Sequence, residues 1–115
     1  MATHETALQN KIRLAVGKLK DARLFRNNVG SAKTYDGRHI DFGLCKGSSD
    51  LIGWTSREIT ADMVGQKIAV FTAIEVKTPT GKVSEVQENF ISLVKKHGGI
   101  AAVVRTIDDA TEILK

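Results

Sequence analysis

The stretch that decides the fold is Ile68-Ala69-Val70-Phe71-Thr72-Ala73-Ile74-Glu75-Val76-Lys77. Its apolar residues would lie on both faces of an extended chain, which is typical of a central strand covered on both sides. Glu75 and Lys77 are two positions apart, so their side chains leave the same face of that strand. Buried charges have a high free-energy cost unless each has a partner. The pair is therefore a candidate site, and a plain Glu–Lys ion pair at a strand end is the alternative.

A second strand and two helices follow this segment along the chain. Ser84 begins a predicted helix through Lys96, which the Gly98-Gly99 pair ends, and Ile100–Val104 is a compact β-branched strand. The strand–helix–strand unit over residues 68–104 is predicted to be parallel and right-handed. Thr106 is predicted to cap a last short helix.

The residues before the central segment predict one helix and several strands. Residues 4–20 carry apolar side chains at helical spacing, with Thr3 placed to cap the helix. The predicted strands are Leu24–Asn27, Gly37–Cys45 and Ser49–Trp54.

Length and composition favour a single soluble domain over residues 1–115, with 42% hydrophobic and 26% charged residues. No apolar run approaches the roughly 20 residues of a membrane helix, and the N-terminus lacks a secretory layout. The lone Cys45 cannot form an internal disulfide, so a reducing cytoplasm is expected. A net charge of +4 suits a polyanionic partner, although a solvated basic face would give the same composition.

Three further polar residues are candidates for the site. Glu5 shares a helix face with Leu8 and Ile12, although a first-turn glutamate also complements the helix dipole. Asp50 stands at the entrance to a short apolar strand, where an Asx-turn residue is the alternative. Gln87 lies three residues after Ser84 and either completes a capping box or points back at the Glu75–Lys77 strand.

Other chemistries have little support in the sequence. His4, His39 and His97 are scattered, and a single cysteine offers no Cys/His pair at zinc-ligand spacing. No glycine-rich phosphate loop followed by Lys and Ser or Thr occurs, so no nucleotide cofactor is expected.

The sequence resembles the virus-type replication–repair nuclease (VRR-NUC) family of the PD-(D/E)xK nuclease superfamily. The segments that carry the resemblance occur in the family's order and are His4–Thr6, Gly47–Gly53, Ile74–Lys77, Gln87–Phe90 and Ala102–Arg105. Ser49 stands where the superfamily label has a proline. The implied fold is α/β, a restriction-endonuclease-like core with a mixed central sheet flanked by helices, in the order α-β-β-β-α-β-α.

The resemblance also implies a role for each candidate residue. Asp50 and Glu75 would bind a divalent metal, completed by the backbone carbonyl of Val76, and Glu5 would help directly or through water. Lys77 would be the catalytic lysine beside the attacking water, and Gln87 would steady both. The implied metal is Mg²⁺, for which Mn²⁺ substitutes, because both prefer hard oxygen ligands.

By the same resemblance, the chain would be a stand-alone, phage-like member of the family. Its expected function is Mg²⁺-dependent cleavage of branched DNA by a homodimer, as in Holliday-junction resolvases, in a bacterial or phage-infected cytoplasm. A flap- or nick-directed nuclease, a non-catalytic branched-DNA-binding protein and a structural protein stay open as alternatives. The basic residues expected to contact DNA phosphates are Arg26, Lys33, Arg38, Lys46 and Arg105, the last of which a structural role would explain equally well.

Overall fold

The computed structural model describes residues 4–115. Its backbone groups into two compact units, a first unit that ends at Thr55 and a second unit that spans Ser56–Lys115. The elements in chain order are α1 (His4–Gly17), β1 (Ala22–Arg26), β2 (Gly30–Lys33), β3 (His39–Phe42), β4 (Leu51–Thr55), a 3-10 helix (Ala61–Met63), β5 (Thr72–Val76), α2 (Glu85–Lys96), β6 (Ile100–Val104) and α3 (Ile107–Ile113).

A mixed α/β architecture is confirmed, but its finer description is not. Within residues 4–115, five strands precede α2, whereas the order α-β-β-β-α-β-α implied by the resemblance has three, so that order is not confirmed. The strands pair as three two-stranded sheets, β1 with β4, β2 with β3 and β5 with β6, so one mixed central sheet is not confirmed either. Among residues 4–115, every helix is too short or too polar to cross a bilayer.

In the first unit, β1 and β4 form an antiparallel pair whose register is fixed by a glycine. Leu24 lies opposite Gly53, and a Cβ built at Gly53 would stand only 1.8 Å from the carbonyl oxygen of Arg23. Only glycine permits so close an approach of the two backbones. The rings of Phe25 and Trp54 contact each other on this sheet, with centroids 5.4 Å apart.

The hairpin of β2 and β3 contains a strand that the sequence did not reveal. Segment β2 consists of Gly, Ser, Ala and Lys, none of which favours strands, so its pattern gave no signal. It pairs antiparallel with β3, and the Phe42 ring occupies the space where Gly30 would carry a Cβ. At the tip, Thr34 N–H donates to the Arg38 carbonyl at 2.7 Å.

Helix α1 departs from the prediction in length and in the face that it covers. It ends at Gly17 rather than residue 20, and the expected cap, Thr3, lies outside the described residues. No residue of α1 is buried, and Leu8 is 57% exposed. The half-buried positions are Thr6, Gln9 and Val16. Of the predicted apolar stripe, Val16 is therefore partly covered, whereas Leu8 is exposed and the polar residues Thr6 and Gln9 take the other covered positions.

The second unit follows its prediction more closely. Strands β5 and β6 are parallel, with α2 between them in sequence, as expected, whereas the right-handed crossover stays a prediction. The fully covered side chains are Val94, Ala101 and Val104, and burying a valine contributes about 1.5–3 kcal/mol. Residues 68–71 lie before β5, so the predicted strand was too long at its start.

Candidate functional site

Three of the expected site residues meet in the second unit, around one carboxylate oxygen. The Lys77 ammonium nitrogen lies 3.5 Å from Glu75 Oε1. The Gln87 side-chain amide donates a hydrogen bond to the same oxygen at 2.8 Å. The side chains of Lys77 and Glu75 are only 21% and 31% exposed. We refer to Glu75, Lys77 and Gln87 as the acid–lysine cluster.

Local structure explains why these three side chains converge. Glu75 is on β5, and Lys77 continues the extended chain beyond it, since its N–H donates to the Val104 carbonyl at 3.0 Å. Side chains two positions apart on such a chain share a face. Ser84 caps α2, which fixes Gln87 in the first turn of that helix.

Gln87 has both of the roles that the sequence left as alternatives. Its side-chain oxygen accepts the backbone N–H of Ser84 at 3.0 Å, and the Ser84 hydroxyl accepts the Gln87 N–H at 3.1 Å, which completes a capping box. Its side-chain nitrogen remains free of that box and donates to Glu75. The bond from the Ser84 backbone N–H therefore orients the amide that holds the carboxylate.

The cluster borders an open hollow between β5 and α2 with a volume of about 390 Å³. The hollow is lined by Ala73, Ile74, Glu75, Val86, Gln87, Phe90 and Ile91. Glu75 and Gln87 are thus the polar groups on an otherwise apolar wall.

The oxygen donors of the cluster suit a hard divalent cation. The hydrogen bond from Gln87 and the ion pair with Lys77 both involve Oε1 of Glu75, and neither of these bonds uses the second carboxylate oxygen, Oε2. A carboxylate oxygen is a ligand that Mg²⁺ and Mn²⁺ prefer. No group of three or more His, Cys, Asp or Glu side chains within the described range is arranged to hold a metal ion. A cation at Glu75 would therefore need other oxygen ligands as well.

Asp50 and Glu5 belong to the first unit, and their share in a metal site stays a prediction. Asp50 lies immediately before β4 and is exposed, and its carboxylate forms no hydrogen bond or ion pair within the described residues. Glu5 lies in the first turn of α1 and is also exposed. Exposure removes the argument that Glu5 needs a partner because it is buried, so the helix-dipole interpretation explains its position without a metal.

Asn27 is a residue of interest that the sequence did not single out. Its backbone N–H donates to the Asp50 carbonyl at 2.8 Å. Its side-chain amide donates to the Ser48 hydroxyl and to the Ser49 carbonyl. The signal available in the sequence was an asparagine at the end of a strand, and it gains meaning only once the pairing of β1 with β4 is known.

The basic residues expected at DNA phosphates differ in their surroundings. Arg26, Lys33, Arg38 and Lys46 are exposed, and Arg38 forms an ion pair with Asp36 at 3.0 Å. Arg105 donates from Nη1 to the carbonyls of Thr78, Pro79 and Gly81, at 2.6, 3.4 and 2.9 Å. These bonds favour a structural role for Arg105, since they tie its guanidinium to the turn that follows Lys77.

Comparison with known proteins adds one match. The model of the VRR-NUC domain family matches residues 9–107 of the chain. Neither a curated protein nor a solved structure matches it. The matched range includes Asp50 and the whole acid–lysine cluster.

Proposed function

Because the chain belongs to the VRR-NUC family, we propose that it is a metal-dependent endonuclease that hydrolyses phosphodiesters in branched DNA. Family membership implies a nuclease of the PD-(D/E)xK type. The observation that carries the catalytic proposal is the convergence of Lys77 and Gln87 on one oxygen of Glu75. A glutamate and a lysine two positions apart on a strand are the acid and the amine of that nuclease pattern.

The proposed metal ligands are the carboxylates of Asp50 and Glu75 and the backbone carbonyl of Val76, with Glu5 acting directly or through water. Two observations support the ligand role of the carboxylates. The bonds from Gln87 and Lys77 involve Oε1 of Glu75 rather than Oε2. The exposed Asp50 side chain forms no hydrogen bond or ion pair within the described residues. Mg²⁺, or Mn²⁺ in its place, would supply Lewis acidity toward the phosphate and lower the pKa of water.

Lys77 is proposed as the catalytic lysine. Its ammonium group has three donors, and the contact with Glu75 uses one of them. The other two donors can orient the attacking water and stabilise negative charge on a non-bridging phosphate oxygen. The reaction adds one water across the phosphodiester, so the bond from phosphorus to one ester oxygen breaks and that oxygen leaves with a proton. Gln87 fixes Glu75 and, through it, Lys77.

A plain ion pair at a strand end explains these contacts less well. Exposed ion pairs contribute about 0–1 kcal/mol, and they do not require a third group on the same oxygen. Here a capped helix directs an amide onto Glu75, and both charged side chains are mostly covered. This arrangement restricts the carboxylate to one position, which a metal ligand needs and a surface ion pair does not.

We propose that the substrate is a branched duplex such as a four-way junction, acted on by a homodimer in the cytoplasm of a bacterial or phage-infected cell. Two-fold symmetry would bring two sites to opposing strands of such a junction. The proposed phosphate contacts are the exposed residues Arg26, Lys33, Arg38 and Lys46, with Arg105 as a further candidate. If the protein binds DNA through phosphates, the logarithm of the binding constant should fall linearly with the logarithm of the salt concentration, because binding releases counterions from the DNA.

The decisive experiment compares labelled four-way, flap, nicked and linear DNA with Mg²⁺, with Mn²⁺ and with a chelator. We expect metal-dependent cleavage with preference for the four-way junction, at salt concentrations low enough for binding. Lys77→Met should reduce the rate by about 10²–10³-fold, as expected for removal of a donor that stabilises developing charge. Lys82→Met, an exposed lysine five residues further along the chain, is the matched control and should leave the rate within a factor of about two.

Each alternative predicts its own outcome in this assay. Cleavage confined to flaps or nicks would support the other nuclease function with the same residues. Junction binding without metal-dependent product would support a non-catalytic DNA-binding protein. A wild-type rate in Lys77→Met would contradict the catalytic role of that lysine.

A further inference from the structure

We propose that Asn27 is a positioning residue for Asp50, and that it determines how tightly the protein binds its divalent cation. The inference rests on the proposed role of Asp50 as a metal ligand. Asn27 directly follows β1 and lies 23 positions before Asp50 in the sequence.

The register of β1 and β4 brings Asn27 directly opposite Asp50. Arg26 pairs with Leu51, so the next step of the antiparallel ladder pairs Asn27 with Asp50. The Asn27 N–H donates to the Asp50 carbonyl at 2.8 Å, which confirms that the ladder continues by one pair. Residues directly opposite in an antiparallel pair have side chains on the same face, about 4.5–5.5 Å apart at Cβ.

The Asn27 amide is bonded to the loop that leads into Asp50. Its nitrogen donates to the Ser48 hydroxyl at 2.7 Å and to the Ser49 carbonyl at 2.9 Å. Its oxygen accepts the Leu44 N–H at 2.9 Å. Including the backbone bond, Asn27 forms four hydrogen bonds to the segment from Leu44 to Asp50. One half-buried side chain therefore bonds to both ends of the loop.

Ser48 extends this support into the loop. Its hydroxyl donates to the Cys45 carbonyl at 2.6 Å, and its backbone N–H donates to the same carbonyl at 3.0 Å. The hydroxyl can therefore accept the Asn27 amide while it closes the turn from Cys45 to Ser48. Loss of the Asn27 amide would leave that turn closed but no longer attached to β1.

The position of the Asp50 carboxylate depends on its backbone, because the side chain has two torsions and forms no hydrogen bond or ion pair within the described residues. Mg²⁺ and Mn²⁺ need ligand oxygens within a few tenths of an ångström of ideal distances. Residues that orient a metal ligand typically change metal affinity by about 10–100-fold when they are replaced. A loop that moves by even one ångström would therefore weaken the cation site without removing any ligand.

Two aspartate variants separate the effect of lost positioning on cation binding from the effect of an added negative charge. Asn27→Asp keeps an oxygen for the Leu44 N–H but loses both donors to the loop, and it adds a negative charge beside Asp50. Charge alone would tighten cation binding, whereas loss of positioning should weaken it. Asn28→Asp adds the same charge at the neighbouring exposed position, whose side chain forms none of these bonds, and is the matched control.

The measurement is Mn²⁺ binding to the protein without DNA, followed by electron paramagnetic resonance of free Mn²⁺, together with a thermal melt of each variant. We expect Asn27→Asp and Asn27→Ala to raise the Mn²⁺ dissociation constant by about 10–100-fold. Asn28→Asp should bind as well as the wild type or better. A residue that only stabilises the loop would lower the melting temperature and leave Mn²⁺ affinity unchanged in the folded variants, which would overturn the inference.

Asp50→Asn distinguishes failure of this inference from failure of the proposed function. If Asp50→Asn weakens Mn²⁺ binding and the Asn27 variants do not, the positioning role alone is refuted. If Asp50→Asn leaves Mn²⁺ binding unchanged, the proposed ligand role fails and the positioning role fails with it. If both Asn27 variants unfold, Ser48→Ala is the replacement test, with the same expected weakening and the same refuting result.

Discussion

Gln87→Glu tests whether the amide of Gln87 serves the site or only the helix. A glutamate at this position can still accept the Ser84 N–H, so the capping box is kept. It cannot donate to Glu75, and it brings a second negative charge to the oxygen that the amide now approaches at 2.8 Å. The substitution thus removes one of the two functions of Gln87 and leaves the other in place.

The magnitude follows from the lost contact. A hydrogen bond to a charged group contributes about 1.5–3 kcal/mol. Loss of that amount in the orientation of Glu75 corresponds to about 10–100-fold in an equilibrium or a rate. We therefore expect a DNA cleavage rate about 10–100-fold below the wild type. Ser84→Ala, the matched control, should cost about 1 kcal/mol of stability through the lost cap and leave the cleavage rate nearly unchanged.

The assay is single-turnover cleavage at saturating enzyme and metal, together with urea denaturation of both variants. A Gln87→Glu enzyme that cleaves at the wild-type rate would refute the role of the amide at Glu75. Equal loss of rate in Ser84→Ala and Gln87→Glu would assign the effect to the helix cap instead.

Three further outcomes test other parts of the structure. Gly53→Ala should destabilise the protein by at least about 1–3 kcal/mol in urea, because its Cβ would overlap a backbone carbonyl, whereas Gly17→Ala, with open space around it, should be neutral or stabilising. Arg105→Ala should lower the urea midpoint by an amount equivalent to about 0.5–1.5 kcal/mol, since it removes exposed hydrogen bonds to the carbonyls of the turn after Lys77. The Thr34 hydroxyl, and then Arg38, hold the pKa of Asp36 below its ordinary value of 3.8, so Thr34→Val should raise that pKa in a carboxyl-detected NMR titration. Because the pKa of Asp36 is lowered in the folded state, its stabilisation of the fold is present above the ordinary pKa and is lost as the pH falls through the lower, folded-state pKa. An unchanged Asp36 pKa in Thr34→Val would contradict the role of the Thr34 hydroxyl.

The second unit could be predicted well because its signals are local. Strand β6 has the predicted bounds, and α2 begins after the predicted cap at Ser84. Gly98, which was expected to end α2, adopts a φ of 92°, a conformation that favours glycine. Caps, glycine stops and β-branched runs act over a few residues, so the sequence reveals them without knowledge of the tertiary structure.

The first unit was harder to predict because its structure depends on contacts between distant residues. Strand β2 has no strand-forming residues and exists because β3 pairs with it. Of the apolar residues whose spacing in α1 suggested one covered face, Val16 is half-buried but Leu8 is exposed. The other half-buried positions carry the polar residues Thr6 and Gln9. Periodicity indicated that a helix would form, but not which of its faces would be covered.

In the candidate site too, the sequence predicts the contacts that depend on neighbouring residues and not those that depend on distant ones. Spacing on one strand was enough to bring Glu75 and Lys77 to one face. For Gln87 the sequence left two alternatives, a helix cap or a contact with that strand, and the structure shows both. The support of Asp50 could not be inferred, because it comes from Asn27 across a strand pair. A residue that acts through register has no signature in its own neighbourhood of the sequence.

Gly53 connects this register to the site. The close approach of its backbone to the Arg23 carbonyl is possible only where a glycine faces β1, so Leu24 must lie opposite Gly53 rather than opposite a neighbouring residue. With that pair fixed, Asn27 faces Asp50 three steps along the ladder. A slip by one residue would turn every side chain of β4 to the other face and remove Asp50 from Asn27. The glycine that ends the Gly47–Gly53 segment therefore sets the position of the aspartate within it, which gives a physical reason for the two residues to occur at this spacing.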